Sequence, residues 1–266
     1  MRADVANRLL RAAEQAAFCS YAPYSGRPAG CAVWTASGEV IGGTRVENAS
    51  YGLLIDPLQN ALSTAFAYGR EPVVAIALTE PFSQTDLALC AGWIEEAWLI
   101  DPDGFALLGQ RLGRPAKTGP PMLPEAWRLL DPFLSQGEEA KGLLLARQAA
   151  QRARAPESGF RVGCAIQTAD GRWVLGCNVE HAHWRHTLCA ERNALGTLLS
   201  YGGPRARALY ISTDRGWPCP PCGACRQVIV ELVPPEAEIV FSEDGRLPAS
   251  ALLPSGFRPE LLARSP

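Results

Sequence analysis

Four residues near the C-terminal end of the chain could bind a metal ion and move protons. Cys189 and Glu191 lie close together, and Cys222 and Cys225 follow about thirty residues later as a Cys-x-x-Cys pair. A catalytic zinc takes three protein ligands and keeps one position for water, and a cysteine pair at this spacing can bind it from the first turn of a helix. Glu191 could reach that water without being a ligand. The four residues therefore predict a hydrolytic zinc site.

The elements that would position these thiols are two helix starts. Cys189 precedes an apolar-periodic run from Ala190 to Leu199 that predicts a helix. Exposed N–H groups and the positive end of the helix dipole favour the thiolate, which is the form that binds metal. A closed structural zinc site is the alternative, because such sites use four ligands and Cys219 offers a fourth.

Five sequence blocks give the C-terminal half its character. They are Phe160-Arg161-Val162-Gly163, Gly176-Cys177-Asn178-Val179-Glu180, Cys189-Ala190-Glu191-Arg192, Pro221-Cys222-Gly223-Ala224-Cys225-Arg226-Gln227 and Leu252-Leu253-Pro254-Ser255-Gly256-Phe257. In order and spacing, this half resembles the cytidine deaminase family. The resemblance implies one Zn²⁺ per chain, bound by Cys189, Cys222 and Cys225, with Glu191 as the catalytic acid and base that does not bind the metal.

Asn178 and Glu180 are candidates for binding the sugar of a nucleoside. The chain alternates from Trp173 to Glu180, so these two polar side chains share one strand face, which suits a hydroxylated ligand. The resemblance implies that they bind a ribose hydroxyl, that Phe160 packs on the pyrimidine ring and that Ala190 contacts the substrate. An ordinary polar sheet face and a core phenylalanine are the alternatives.

Arg192 follows Glu191 directly. A zinc ion bound by three thiolates forms a complex with a net negative charge, which weakens its ability to acidify water. A guanidinium hydrogen-bonded to the sulfurs would offset that weakening. The resemblance implies this role for Arg192, and a surface salt bridge is the alternative.

The segment from His181 to His186 departs from the family, which reads Asn-Ala-Ser-Tyr-Gly there. It holds all three histidines of the chain. Because the family's loop helps to build pockets, the same chemistry on another aminated nucleoside or heterocycle is an alternative. We expect solvated loop histidines rather than a second metal site.

An internal repeat divides the chain. A shift of 133 residues, half of 266, aligns Pro23–Gly69 with Pro156–Gly202, and about 19 of these 47 positions are identical. The first copy has Asp56, Leu58 and Arg45 where the second has Cys189, Glu191 and Asn178, and we expect Arg45 to neutralise Glu47. The repeat predicts a degenerate, zinc-free deaminase-like domain at residues 1–137 and a catalytic domain at residues 138–266.

The pattern of elements predicts an α/β fold of tandem three-layer α/β/α, cytidine-deaminase-like domains with mixed sheets. Helices are expected at Val5–Phe18, Leu58–Tyr68, Lys141–Arg154 and Cys189–Tyr201. Strands are expected at Gly30–Thr35, Val40–Val46, Val73–Leu78, Val162–Thr168, Trp173–Val179 and Ala208–Ser212.

The composition of the chain limits which kinds of partner and which compartment are expected. A net charge of −2 and a pI of about 6.0 argue against nucleic-acid binding, and a small nucleoside is favoured. No signal peptide or apolar span is visible, and the nine cysteines suit a reducing compartment, so we expect a cytoplasmic protein without membrane contact. The resemblance implies conversion of cytidine or 2′-deoxycytidine to uridine or 2′-deoxyuridine in pyrimidine salvage, by a homodimer that mimics a tetramer. A non-catalytic zinc-binding regulatory protein is the alternative of another class.

The first copy retains the family's Asn48-Ala49-Ser50-Tyr51-Gly52 loop, which the second copy lacks. We predict that this loop closes a catalytic pocket that the second copy cannot complete alone. Tyr51→Ala should then lower turnover or substrate affinity in steady-state kinetics. Unchanged turnover, affinity and thermal stability would rule the prediction out.

Overall fold

The computed structural model describes residues 1–114, 120–135 and 142–257. Two predicted features lie outside these ranges: the domain boundary between residues 137 and 138, and the helix start at Lys141. The centre of segment 113–124, which is rich in Pro and Gly, also lies outside them. In the described part of the chain, no helix combines the length and apolar character that crossing a membrane requires.

The first repeat is built on a six-stranded mixed sheet. Its elements are α1 (Ala3–Ala17), β1 (Gly30–Thr35), β2 (Glu39–Thr44), α2 (Pro57–Ala67), β3 (Val73–Leu78), α3 (Gln84–Trp93), β4 (Trp98–Asp101), β5 (Gly104–Leu107), α4 (Leu108–Arg111) and β6 (Arg128–Leu129). The strand order is β5-β4-β3-β1-β2-β6. The hairpin β1–β2 is antiparallel, whereas β3–β4 and β2–β6 are parallel.

The second repeat has a five-stranded mixed sheet of the same plan. Its elements are α5 (Gly142–Ala150), β7 (Val162–Thr168), β8 (Trp173–Cys177), α6 (Ala190–Ser200), β9 (Ala206–Thr213), α7 (Gly223–Leu232), β10 (Glu238–Val240) and β11 (Arg246–Pro248). The order is β11-β10-β9-β7-β8. The expected tandem α/β fold with mixed sheets is confirmed.

Helices cover both faces of each sheet, and glycines permit the close approach. A Cβ on Gly163 would lie 1.9 Å from the carbonyl oxygen of Ala146 in α5. A Cβ on Gly176 would lie 2.4 Å from the backbone nitrogen of Ala194 in α6. Cys164, next to Gly163, pairs with Gly176, and consecutive strand residues point to opposite faces. The two helices therefore pack on opposite sides of the sheet.

The two repeats join through α2 and α6, and the contacts are reciprocal. The hydroxyls of Thr64 and Thr197, equivalent by the 133-residue shift, are 2.7 Å apart. Asn60 donates to the Gly196 carbonyl, and its equivalent Asn193 donates to the Ser63 carbonyl. The phenols of Tyr68 and Tyr201 likewise accept from Leu175 N–H and Gly42 N–H in the opposite repeat. Equivalent residues thus make equivalent bonds across the joint.

This packing predicts that an added methyl group destabilises the protein at a glycine under a helix but not at an exposed glycine. Gly163→Ala should destabilise the protein by about 1–3 kcal/mol or more, because the helix backbone must move away from the sheet. Gly52→Ala is the control, since a Cβ at Gly52 meets no atom within 4 Å. Urea unfolding measures both, and equal stability of the two variants would contradict the close packing of α5.

Candidate active site

The three predicted thiols lie together at the starts of two helices. Cys189 is the N-cap of α6, Cys222 is the N-cap of α7, and Cys225 lies in the first turn of α7. Their sulfur atoms all lie within 4.8 Å of one another, and the Sγ atoms of Cys189 and Cys222 are 3.9 Å apart. Tetrahedral zinc with Zn–S bonds of about 2.3 Å needs sulfurs about 3.8 Å apart. The three thiols therefore fit a zinc ion.

The helix start favours ionisation of Cys222. Hydrogen bonds from the thiols of Cys189 and Cys225, followed by the N–H groups of Cys225 and Ala224, lower the pKa of the Cys222 thiol. The hydrogen bond to Cys222 is the largest cause that raises the pKa of the Cys189 thiol. Thiolate character is thus greatest at Cys222, where backbone N–H groups stabilise the negative charge.

Glu191 lies beside the thiols without joining them. It is the second residue of α6, and its side chain is buried, with 4% relative exposure. Burial is the main cause that raises its pKa to about 7. A carboxyl group that titrates near neutral pH is suited to both accepting and donating a proton.

Cys219 does not complete a fourth-ligand position. Within the described ranges, the metal-sized group contains Cys189, Cys222 and Cys225 only. The Cys219 N–H donates to the Phe241 carbonyl, and burial raises the pKa of its thiol to about 11. A three-thiolate set leaves a coordination position open, as catalytic zinc requires.

Asn178 and Glu180 already have partners in the loop that carries Phe160. Asn178 accepts from Val162 N–H at 2.7 Å and donates to the Phe160 carbonyl at 2.9 Å. The Glu180 carboxylate accepts from the N–H groups of Glu157 and Ser158 and, through a short bond, from the Ser158 hydroxyl. Both residues follow the end of β8, behind the half-exposed Phe160 ring.

Comparison with known proteins decides the family. Two models described as "Cytidine and deoxycytidylate deaminase zinc-binding region" match residues 137–242 and 1–84. A cytidine deaminase of Halalkalibacterium halodurans is 39% identical over 117 residues, which cover 42% of this chain and 89% of that protein. The chain belongs to the cytidine deaminase family. It is therefore a zinc-dependent hydrolytic deaminase that acts on the cytosine C–N bond, and a non-catalytic zinc protein is ruled out.

The chain is also similar to other cytidine deaminases. A probable cytidine deaminase of Dictyostelium discoideum is 34% identical over 136 residues, which cover 50% of this chain and 92% of that protein. The crystal structure of cytidine deaminase from Mycobacterium tuberculosis is 42% identical in sequence to the matched part of this chain. The match covers 42% of this chain and 90% of the M. tuberculosis chain, with a TM-score of 0.40. Each of these cytidine deaminases aligns with half of the present chain or less.

The first repeat contacts Arg192, which lies next to Glu191 in the candidate site. One guanidinium nitrogen donates to the Leu53 carbonyl at 3.0 Å and to the Leu54 carbonyl at 3.3 Å. The buried Nε of Arg192 has no protein partner among the described residues. Sequence reasoning placed Arg192 beside the sulfurs but missed its two carbonyl partners. Main-chain acceptors leave no trace in the residue types.

The histidine loop lies against the first repeat. His181 is buried, at 5% relative exposure, and its ring occupies the space beside Gly92, where a Cβ would lie 2.1 Å from Nε2. The Gln59 amide donates to the His186 carbonyl at 2.6 Å. The expectation of solvated histidines is wrong for His181, because a glycine on α3 admits its ring. Burial lowers the pKa of both His181 and His186.

The equivalent place in the first repeat lacks thiols. Asp56 caps α2 where Cys189 caps α6, and Ser83 and Asp86 begin α3 as Cys222 and Cys225 begin α7. The 133-residue shift alone would align Cys222 and Cys225 with Leu89 and Gly92, but the structural equivalents are Ser83 and Asp86, because the segment before α3 is shorter. Arg45 forms an ion pair with Glu80 at 2.7 Å. Against the effect of burial, hydrogen bonds from Ser25 and Tyr24 lower the pKa of Glu47, and the charge of Arg45 adds to this lowering, as expected.

The site predicts which cysteines hold zinc. Cys222→Ala should reduce the bound zinc to well below one equivalent per chain, because two remaining thiolates bind zinc far more weakly. Cys219→Ala should keep the wild-type zinc content, measured by elemental analysis of the purified protein. Loss of zinc from the Cys219 variant would instead indicate a closed four-thiolate site.

Proposed function

We propose that this protein converts cytidine and 2′-deoxycytidine to uridine and 2′-deoxyuridine with release of ammonia, as a pyrimidine-salvage enzyme of the cytoplasm. The observation that carries the proposal is the buried Glu191 carboxyl beside three thiols of zinc-binding geometry. Zinc, when bound to Cys189, Cys222 and Cys225, supplies the Lewis acidity that makes water available as hydroxide near neutral pH.

The side chain of Glu191 provides the proton transfers. Its carboxylate takes the proton of the attacking water as the new C–O bond forms at C4 of the pyrimidine. It gives this proton to the ring nitrogen N3. It then takes the proton of the new C4 hydroxyl and passes it to the amine, so that the C4 carbonyl forms, the C–N bond breaks and ammonia leaves. Because Glu191 is buried and its pKa lies close to neutral pH, its carboxyl group can make both transfers without moving.

The substrate contacts are proposed from groups with spare hydrogen-bonding capacity. Asn178 has a second amide hydrogen, and among the described residues Oε1 of Glu180 accepts only the Ser158 hydroxyl. Each can therefore still bind one sugar hydroxyl. Ala190 begins α6, and its N–H has no partner within the helix, so it is available to the base. Phe160 offers a ring of 46% relative exposure for stacking.

The histidine loop does not favour a different substrate. Its contacts with the first repeat include those with Gly92, Trp93 and Gln59, which are distant in sequence from the three-thiol group of the second repeat. A cytosine nucleoside, as in the relatives, therefore remains the proposed substrate. We also propose that Arg192 tempers the charge of the thiolates through its unpartnered Nε.

The quaternary proposal follows from the joint between the repeats. Equivalent bonds across α2 and α6 make one chain resemble a pair of subunits, which supports a tandem duplication. We propose two units, residues 1–137 without zinc and residues 138–266 with it, and a homodimer that has one zinc site per chain.

Replacement of Glu191 tests the mechanism. Glu191→Gln keeps the shape of the side chain but cannot take up a proton, so turnover of cytidine should fall by about 10²–10⁴-fold while zinc content is retained. The loss of ultraviolet absorbance on deamination measures the rate. A variant that deaminates at a rate near that of wild type would refute the role of Glu191.

The same assay defines the substrate when it is extended to 2′-deoxycytidine and free cytosine. Binding of the sugar by Asn178 and Glu180 predicts that free cytosine has a much lower kcat/KM than either nucleoside. Equal values for base and nucleoside would show that these residues serve the loop alone.

A further inference from the structure

The carboxylate of Glu231 connects helix α7 to the first repeat. Its Oε1 accepts from the Tyr24 hydroxyl at 2.7 Å and the Tyr21 hydroxyl at 3.2 Å. Its Oε2 accepts from Ala49 N–H at 2.9 Å. Burial and the hydrogen bond to Glu231 raise the pKa of the Tyr24 phenol, so this phenol remains a donor at neutral pH. One side chain on a thiol-bearing helix thus receives three bonds from the other repeat.

These bonds attach one end of a segment whose other end touches the second thiol-bearing helix. We call residues Asn48–Leu54 the strap. Ala49 is bound to Glu231 of α7, whereas the Leu53 and Leu54 carbonyls are bound to Arg192 of α6. Leu53 also packs against the core of the second repeat. The strap therefore spans the two helices that carry the three thiols.

The first repeat provides an internal comparison for this arrangement. Gly92 lies nine residues after the α3 N-cap Ser83, as Glu231 lies nine after the α7 N-cap Cys222. A glycine has no side chain to bind the reciprocal segment, and the His181 ring takes the space. The bond from Gln59 to the His186 carbonyl persists, as the counterpart of Arg192 to Leu53. The anchoring carboxylate is present only on the repeat that has the thiols.

We propose that Glu231 is a positioning residue that holds the strap of the first repeat across the zinc-bearing helices and thereby shapes the nucleoside pocket. This inference rests on the proposed cytidine deamination. Glu231 itself does not touch substrate or metal in this account. It acts through the main chain of the strap.

Glu231→Ala tests the proposal in the full-length zinc enzyme. The KM for cytidine should rise about tenfold, the size expected from losing hydrogen bonds to a charged group, while kcat changes by less than about threefold. Zinc content should not change. Deuterium uptake in peptides that cover residues 46–54 should become faster, because Ala49 N–H loses its acceptor.

Two further variants separate positioning from stability. Glu231→Gln keeps an amide oxygen for Ala49 N–H and should restore most of the wild-type KM. Gln59→Ala removes the reciprocal bond on the repeat without thiols and should leave the KM unchanged. A Glu231→Ala enzyme with wild-type KM, or with a lower kcat that only follows lower thermal stability, overturns the proposal.

The exchange measurement keeps the two proposals apart. If wild-type enzyme deaminates no cytosine nucleoside, the proposed function fails, yet faster exchange confined to the strap in Glu231→Ala would still show that Glu231 holds it. Unchanged exchange in the strap would overturn the positioning role whatever the substrate.

Discussion

The location of the active site depends on how closely helix α6 is packed between two surfaces. On one side, the backbone of α6 lies against Gly176, where a Cβ would be 2.4 Å from Ala194 nitrogen. On the other side, Thr197 meets Thr64 of α2 at 2.7 Å. Interiors this dense transmit displacement, because no void remains to absorb it. Cys189, Glu191 and Arg192 all lie at the start of α6. The position of this one helix therefore sets the positions of three candidate functional groups.

Comparison of the two repeats separates residues that serve the fold from residues proposed to serve the reaction. Glu47 of the first repeat accepts from Tyr24 N–H, Ser25 N–H and the Ser25 hydroxyl, which are the same three bonds that Glu180 accepts. Because Glu47 lies in the repeat that lacks the three-thiol group among the described residues, these bonds organise the loop and need no catalytic explanation. Any contact of Glu180 with a sugar is additional to them. Glu191 has no such counterpart, since Leu58 fills the equivalent position in the buried core.

Sequence alone gave much of the local structure, because alternation and hairpin turns are short-range signals. Strands Gly30–Thr35, Val73–Leu78 and Val162–Thr168 were predicted with their observed bounds. The thiol group was also predictable from its spacing. The contacts between repeats were not: Arg192 and Leu53 are 139 positions apart, and a carbonyl acceptor can belong to any residue type. The burial of His181 was missed for a similar reason, since it depends on the absence of a side chain at Gly92.

Among the described residues the three-thiol group lies in the second repeat, and the first repeat supplies contacts to the second. Without the first repeat, the hydroxyl of Thr197, the amide of Asn193 and the guanidinium of Arg192 would each lose partners that now lie in α2 or the strap. Removal of the first repeat would expose these groups and the apolar side chains around them to water, so the second repeat would lose both hydrogen bonds and burial. These contacts come from α2, which carries Asn60 and Thr64, and from the strap. Asp56 and Leu58, at the positions equivalent to Cys189 and Glu191, are not among them.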